Sequence, residues 1–204
     1  MTVTGLDSAR ISAKLIFVMR WISTILKQVV ASVLAVTLIF GVAAADEAEL
    51  EALYEGLLNA EGAAAEQITG RIYEIWSRSG SDSMDLLLER GREALNEGDT
   101  KLAIEHLTAL VDHAPDFAEA YNARATAYFH AGKYGPSLED IGRTLQLNPR
   151  HFGAMSGLAL ILEELDRPED ALAAWREVET INPNQPGLTE ALIRLERQVE
   201  GRKL

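Results

Sequence analysis

The chain contains no cysteine among its 204 residues. Disulfide staples, thiolate metal sites and thiol nucleophiles are therefore excluded, although a cysteine-free chain fits a reducing or an oxidising compartment equally well. Histidine is scarce and stands in no HExxH or other short metal-binding spacing; the four are His106, His113, His130 and His151. The GxSxG, P-loop and GxGxxG motifs are absent as well. We therefore expect no metal, no cofactor and no catalytic residue, and an enzyme is the weaker hypothesis.

A long apolar run without a charged residue lies near the N-terminus, at residues 29–42. Two cations, Arg20 and Lys27, precede it, and three alanines ending at Ala45 follow it. This order is typical of a secretory signal peptide, so we expect residues 1–45 to be removed by cleavage after Ala45. A start at Met19 would give a signal of more ordinary length. The alternative is an uncleaved inner-membrane anchor over residues 22–45.

Basic residues are the minority, and the formal net charge is -12. Without residues 1–45 the chain keeps 15 basic and 30 acidic residues, a net charge of -15. Such a charge repels nucleic acid and anionic lipid headgroups and favours basic partners, although an acidic surface also serves solubility alone. We expect a protein or peptide partner, no nucleic acid, and membrane contact only through an uncleaved N-terminal segment.

Three prolines recur at intervals of 34 residues, at Pro115, Pro149 and Pro183. This period is typical of the helix-turn-helix unit of a solenoid, and it divides the chain into units 84–117, 118–151 and 152–185. Small residues recur at two places in each unit and a large apolar residue at a third. These are Gly91, Ala125 and Ala159 (place 8), Ala103, Ser137 and Ala171 (place 20), and Leu107, Ile141 and Trp175 (place 24). Small residues at facing positions let two antiparallel helices approach closely.

The ends of the helices are marked at matching places. Gly98 and Gly132 are expected to end the first helix of their units, and Asp166 fills the same place in the third. Pro136 and Pro168 are predicted to lie in the first turn of the second helix of their units, where proline is well tolerated. Asp116 and Glu119 resemble a capping box that opens the second unit.

On these places the sequence resembles the tetratricopeptide repeat family. The resemblance implies an all-α fold, a short right-handed solenoid of helical repeats. The sequence departs from the usual residues of the family at two sets of places, and both affect helix packing. Arginine stands at Arg90 and Arg124 where leucine is usual, and residues larger than alanine stand at Leu110, Thr144 and Val178.

The flanks of the repeats are also predicted to be helical. Residues 46–83 carry two amphipathic patterns, which we interpret as a helix pair forming a degenerate repeat in the same register. Residues 186–204 carry apolar residues at helical spacing, which predicts a capping helix that covers the last repeat.

The family resemblance also implies that the first helix of each unit lines a concave binding groove. Carried over place by place, the candidate partner-binding residues are Arg92, Asn96, Asn122, Thr126, Phe129, His130, Ser156 and Leu160. Glu119 stands at another of these exposed places. Such a groove would hold an extended segment or a helix through amide contacts and apolar anchoring. The alternative is that Phe129 packs under the neighbouring unit and Arg92 pairs with a local glutamate.

Some members of the family bind a chaperone's C-terminal carboxylate through a clamp of Lys, Asn and Arg. Leu88, Gly153 and Gly157 stand where that clamp needs polar or basic groups, so we expect a different ligand. The sequence as a whole indicates an exported, non-enzymatic binding or scaffold module, periplasmic in a bacterium or secreted. The rival hypothesis is a membrane-tethered structural subunit of an envelope assembly.

Overall fold

The computed structural model describes residues 47–202. All regular secondary structure in that range is helical, and residues 50–202 belong to one compact unit. The nine helical segments of the described range are α1 (47–59), α2 (Gly62–Trp76), α3 (Asp82–Asn96), α4 (Thr100–His113), α5 (Ala118–His130), α6 (Tyr134–Leu147), α7 (Phe152–Glu164), α8 (Pro168–Ile181) and α9 (Leu188–Arg202).

Helices α3 to α8 form three hairpins, α3–α4, α5–α6 and α7–α8, and each packs against the next. Within the hairpins, the small residues meet as the sequence predicts. The Ser137 hydroxyl donates a 2.7 Å hydrogen bond to the Ala125 carbonyl, and a Cβ on Gly91 would lie 2.5 Å from Leu107 Cγ. The large residues of place 24 are all buried, at 0% exposed for Leu107 and 3% for Ile141 and Trp175. The predicted all-α repeat fold is confirmed.

The repeated prolines act through the residue that precedes each of them. Ala114, Asn148 and Asn182 cap the second helices with φ between -136° and -132°, outside the helical region. Proline disfavours helical backbone in the residue before it, so the second helix ends at the same place in each repeat.

The ends of the first helices also agree with the sequence prediction. Gly98, Gly132 and Asp166 take φ values of +82°, +68° and +54°, the left-handed conformation that ends a helix. Pro168 occupies the first turn of α8, and Pro136 the first turn of α6. The predicted capping box is wrong, because α5 is capped by Phe117, which makes no side-chain cap bond. Glu119 instead points into the protein, where it is 2% exposed.

Helix α9 packs along α8 at the end of the repeats. Its buried stripe consists of Leu188, Ala191, Leu195 and Val199, and charged residues occupy its outer surface. The helix therefore buries one apolar face and solvates the other, which an open array of repeats needs at its end.

The N-terminal pair, α1 and α2, is helical as predicted but packs differently from the expected register. The Trp76 ring stacks on His151 with centroids 4.1 Å apart, and the Tyr73 ring meets the edge of Phe152 at 5.5 Å. At the other end, the Asn184 amide donates to the Ala60 carbonyl at 2.9 Å. The pair therefore contacts α7 and the turn after α8 as well as α3, whose Arg92 donates to the hydroxyl of Ser77 at the end of α2. Burial of large aromatic side chains accounts for this placement.

The predicted signal peptide or membrane anchor lies outside the described residues. Within residues 47–202, no helix combines the length and the apolar character that crossing a membrane requires. The unit boundaries read from the sequence stay a prediction.

Candidate protein-binding groove

The first helices of the three repeats, α3, α5 and α7, lie side by side, with α5 contacting both others. A row of polar residues at four-residue spacing runs along α5: Asn122, Thr126 and His130. Four residues are about one helical turn, so these side chains share one face. The row borders two pockets, one toward α7 and one toward α3. We call these two pockets together the groove.

The pocket toward α7, here called the apolar pocket, has a volume of about 290 Å³. Its lining consists of Asn122, Ala125, Thr126, Phe129, His130, Ser137, Ile141, Gly153, Ala154, Ser156, Gly157, Leu160 and Ile161. The hydroxyl groups in this lining donate to backbone carbonyls: Ser137 to Ala125 at 2.7 Å, Ser156 to Phe152 at 2.8 Å and Thr126 to Asn122 at 3.0 Å. Their protons are therefore already used, and most of the remaining lining is aliphatic or aromatic.

The pocket toward α3, here called the polar pocket, has a volume of about 370 Å³. Its lining consists of Tyr73, Arg92, Leu95, Asn96, Glu119, Asn122, Ala123, Thr126 and His130. Tyr73 comes from α2, so the N-terminal pair contributes one wall of this pocket.

Glu119 is the centre of a buried network under the polar pocket. It accepts hydrogen bonds from Arg92 Nη2 at 2.5 Å, from His151 Nε2 at 2.8 Å and from the Asn122 amide at 3.2 Å. His151 is 0% exposed, and its Nδ1 accepts the Ala154 backbone N–H at 3.1 Å. Because Nδ1 accepts, the imidazole is the neutral tautomer with its proton on Nε2. The network ties α3, α5 and α7 together.

The titration of this network follows from burial and hydrogen bonding. Burial raises the pKa of Glu119, but the hydrogen bonds from His151 and Asn122 and the charge of Arg92 outweigh it and hold the pKa below its usual value. Burial also raises the pKa of Tyr73 to about 12, helped by the negative charge of Glu119. Glu119 therefore stays ionised, and Tyr73 stays neutral, at ordinary pH.

All eight candidate residues predicted from the sequence line the groove. Six of them line the apolar pocket, five line the polar pocket, and the three residues of the α5 row line both. Their role in binding a partner stays a prediction. Arg92 and Asn122 are engaged with Glu119, and Arg92 also donates to the Ser77 hydroxyl at 3.0 Å. The alternative in which Arg92 pairs with a local glutamate is therefore the observed one. Phe129 is partly buried, with its ring 5.7 Å from that of Tyr134.

Sequence reasoning missed the buried roles of Glu119 and His151. Glu119 was expected at an exposed place, and its burial depends on contacts from α3 and α7 that its own helix does not reveal. For His151 a signal exists, because it directly precedes the first residue of α7, where a side-chain acceptor caps a helix.

The places of the chaperone clamp carry no polar side chain. Leu88 is 2% exposed, and Gly157 faces Ile141, whose Cδ1 would lie 3.5 Å from an added Cβ. Gly153 lies against α2, where an added Cβ would be 2.5 Å from the Tyr73 hydroxyl. The side chains that such a clamp needs are therefore missing from these places.

A further cavity of about 520 Å³ lies between α5 and α6. Two arginines line it, and one of them, Arg124, forms two hydrogen bonds to Asp140, at 2.7 and 2.8 Å, and lies 5.8 Å from the ring centroids of Tyr121 and Tyr128. The arginine that replaces the usual leucine is thus neutralised by a nearby aspartate. In the described range, no three His, Asp or Glu side chains are grouped so that they could hold a metal ion.

Comparison with known proteins agrees with this architecture. Residues 88–135 and 137–186 match the family described as "Tetratricopeptide repeat". A TPR repeat-containing protein of Rhizobium etli is 34% identical over 139 residues, which is 68% of this chain and 68% of the relative. The chain belongs to the tetratricopeptide repeat family.

Solved tetratricopeptide repeat domains share the fold at lower identity. The Sgt2 TPR domain from Aspergillus fumigatus is 22% identical, with a TM-score of 0.57, over 60% of this chain and 83% of that domain. The first TPR of Spaghetti, bound to the HSP90 peptide SRMEEVD, is 24% identical, with a TM-score of 0.55, over 57% of this chain and 93% of that one. At these identities the likeness establishes the fold.

Proposed function

We propose that this tetratricopeptide repeat protein is a non-enzymatic interaction module that holds a segment of a partner protein in the groove between α3, α5 and α7. The observation that carries the proposal is the apolar pocket, about 290 Å³ in volume and open between two packed helices. A concave apolar surface with a few polar groups along one side is the usual form of a ligand site. The HSP90 peptide seated on the Spaghetti repeat domain supports a peptide partner for this fold.

We further propose that the protein is exported and works outside the cytoplasm, in a bacterial periplasm or after secretion. The support is the order of basic residues, an uncharged apolar run and small residues before Asp46. Reading the N-terminus of the protein isolated from its cells tests this proposal. An N-terminus at Asp46 supports a released module, whereas a retained Met1 or Met19 supports the membrane-tethered subunit.

Site-specific photocrosslinking tests groove binding. A photoreactive residue replaces Leu160, which borders the apolar pocket and is 43% exposed. The matched control replaces Leu102 on α4, which is 38% exposed and lies outside the groove. We expect a discrete protein adduct from position 160 and none from position 102. Equal adducts from both positions, or an adduct from position 102 alone, would place the contact elsewhere.

The substitution control for this experiment must leave the buried network intact. Changing Arg92 to glutamate would set a second carboxylate beside Glu119 and disturb the fold itself. With the photoreactive residue kept at position 160, Thr126→Arg changes an exposed side chain of the groove and is compared with Thr180→Arg, which changes an exposed threonine of α8 outside the groove. We expect only Thr126→Arg to abolish the adduct, with the helical circular dichroism of both variants unchanged.

A further inference from the structure

We infer that the apolar pocket receives one uncharged aliphatic or aromatic side chain of the bound segment, and that affinity in this groove comes from apolar burial instead of charge. The inference rests on the proposed function and adds the chemistry of the ligand. It runs against the expectation from net charge, which favours a basic partner.

The lining of the apolar pocket offers no ion-pair partner to a charged group. It contains no Asp, Glu, Lys or Arg side chain, and its titratable group, His130, is exposed at the rim. The hydroxyl protons of Thr126, Ser137 and Ser156 are donated to backbone carbonyls. A charged side chain entering this pocket would lose its hydration without compensation, which is strongly unfavourable.

The shape of the pocket depends on small residues on α7 and α5. Gly157 and Ala154 face Ala125 across the space between the helices, and Phe129 and Leu160 supply larger apolar walls. An added Cβ on Gly157 would meet only Ile141 Cδ1, at an ordinary 3.5 Å. The space above Gly157 is therefore open to an incoming side chain, and its burial is worth about 10- to 100-fold in affinity.

The neighbouring polar pocket does not supply a net charge either. Arg92 and Glu119 neutralise each other at 2.5 Å, and His151 is neutral. The acidic excess of the chain therefore lies outside the network that borders the groove, and long-range attraction of a basic side chain into the apolar pocket is weak.

Small neutral and charged probes test the inference directly on the full chain as purified from cells. The probes are the N-acetyl amides of leucine, tryptophan, lysine and aspartate, titrated against protein labelled with ¹³C at the alanine methyls. We expect the leucine and tryptophan probes to shift the Ala125 and Ala154 methyl signals saturably, with affinities that change less than about twofold between low and high salt. Equal or tighter binding of the lysine or aspartate probe would overturn the inference.

A pair of glycine variants adds a control for folding. Gly157→Leu fills the pocket, and because leucine is a better helix former than glycine, the variant should fold at least as well. Gly142→Leu makes the same change on α6, where an added Cβ meets open space outside the groove. We expect Gly157→Leu to weaken the neutral probes about tenfold or more and to abolish the photocrosslinked adduct, while Gly142→Leu changes neither.

The two experiments fail in different ways. If the neutral probes bind but no protein adduct forms at position 160, the inference about the apolar pocket is supported and the proposed binding of a partner protein is contradicted. An adduct that survives Gly157→Leu, or a pocket that ignores the neutral probes, would overturn the anchor inference and leave groove binding standing.

Discussion

The three repeats and the N-terminal helix pair are both helical, but the contacts that hold them in place differ in sequence separation. Within a repeat, Ser137 bonds to Ala125 only 12 residues away. In the N-terminal pair, Glu51 pairs with Arg150 across 99 residues, and Ala60 accepts from Asn184 across 124. Local contacts recur with the sequence period, whereas the distant ones occur once. The repeats can therefore be recognised from sequence, and the docking of the pair cannot.

The largest effect is expected where the two regions share a side chain. Phe152 is 0% exposed, begins α7 and packs against Tyr73 and Trp76 of α2. Phe152→Ala should lower the free energy of unfolding by about 3–5 kcal/mol, because it leaves a cavity in the core that joins both regions. Urea unfolding followed by circular dichroism measures this loss. A loss under about 1 kcal/mol would mean that the pair is not docked on α7.

An intermediate effect is expected inside the repeats. Gly91→Ala puts a Cβ 2.5 Å from Leu107 Cγ, within the branched end of a fully buried side chain, so we expect a loss of about 1–3 kcal/mol. The control Gly142→Ala meets open space in a helix and should gain about 0.5–1 kcal/mol. Thermal unfolding of the two variants beside the parent protein gives the comparison. Equal changes in both would show that the close approach of α3 and α4 is not a constraint.

A smaller loss of stability is expected in alkaline solution, from ionisation of Tyr73 in the N-terminal helix pair. The pKa of Tyr73 is about 12 in the folded protein against 10.0 for the free side chain. Because the folded pKa is raised, the contribution of Tyr73 is fully present below pH 10 and is lost as the pH rises toward 12. The loss approaches about 2 kcal/mol at its greatest, and Tyr73→Phe should remove it. Urea unfolding of both proteins at pH 9 and pH 11.5 tests this, and parallel losses would exclude Tyr73 as the cause.

Much of the groove could be predicted from the family pattern, since the eight candidate residues lie on it. That success has a physical basis, because a residue's place in a repeat fixes which face of the helix it occupies. The pattern does not say whether a given face is free. Arg92 and Asn122 occupy groove positions and yet bond to Glu119, and Gly153 abuts Tyr73. The Arg92–Glu119 bond joins α3 to α5 and the Gly153 contact joins α7 to α2, whereas the repeat pattern treats each helix separately.

The large sequence separation of the N-terminal contacts also determines the order in which helices are made and buried during synthesis. A ribosome adds about 5–20 residues per second, so α1 and α2 emerge about 5–20 s before Arg150 and Phe152 are made. Each repeat hairpin finds its partner helix within a few residues of its own end, but the aromatic face of α2 has no docking surface during that interval. The N-terminal pair is therefore the first part of the described structure to be made and among the last to be buried. Its tyrosine and tryptophan therefore stay open to solvent and to other proteins for that interval.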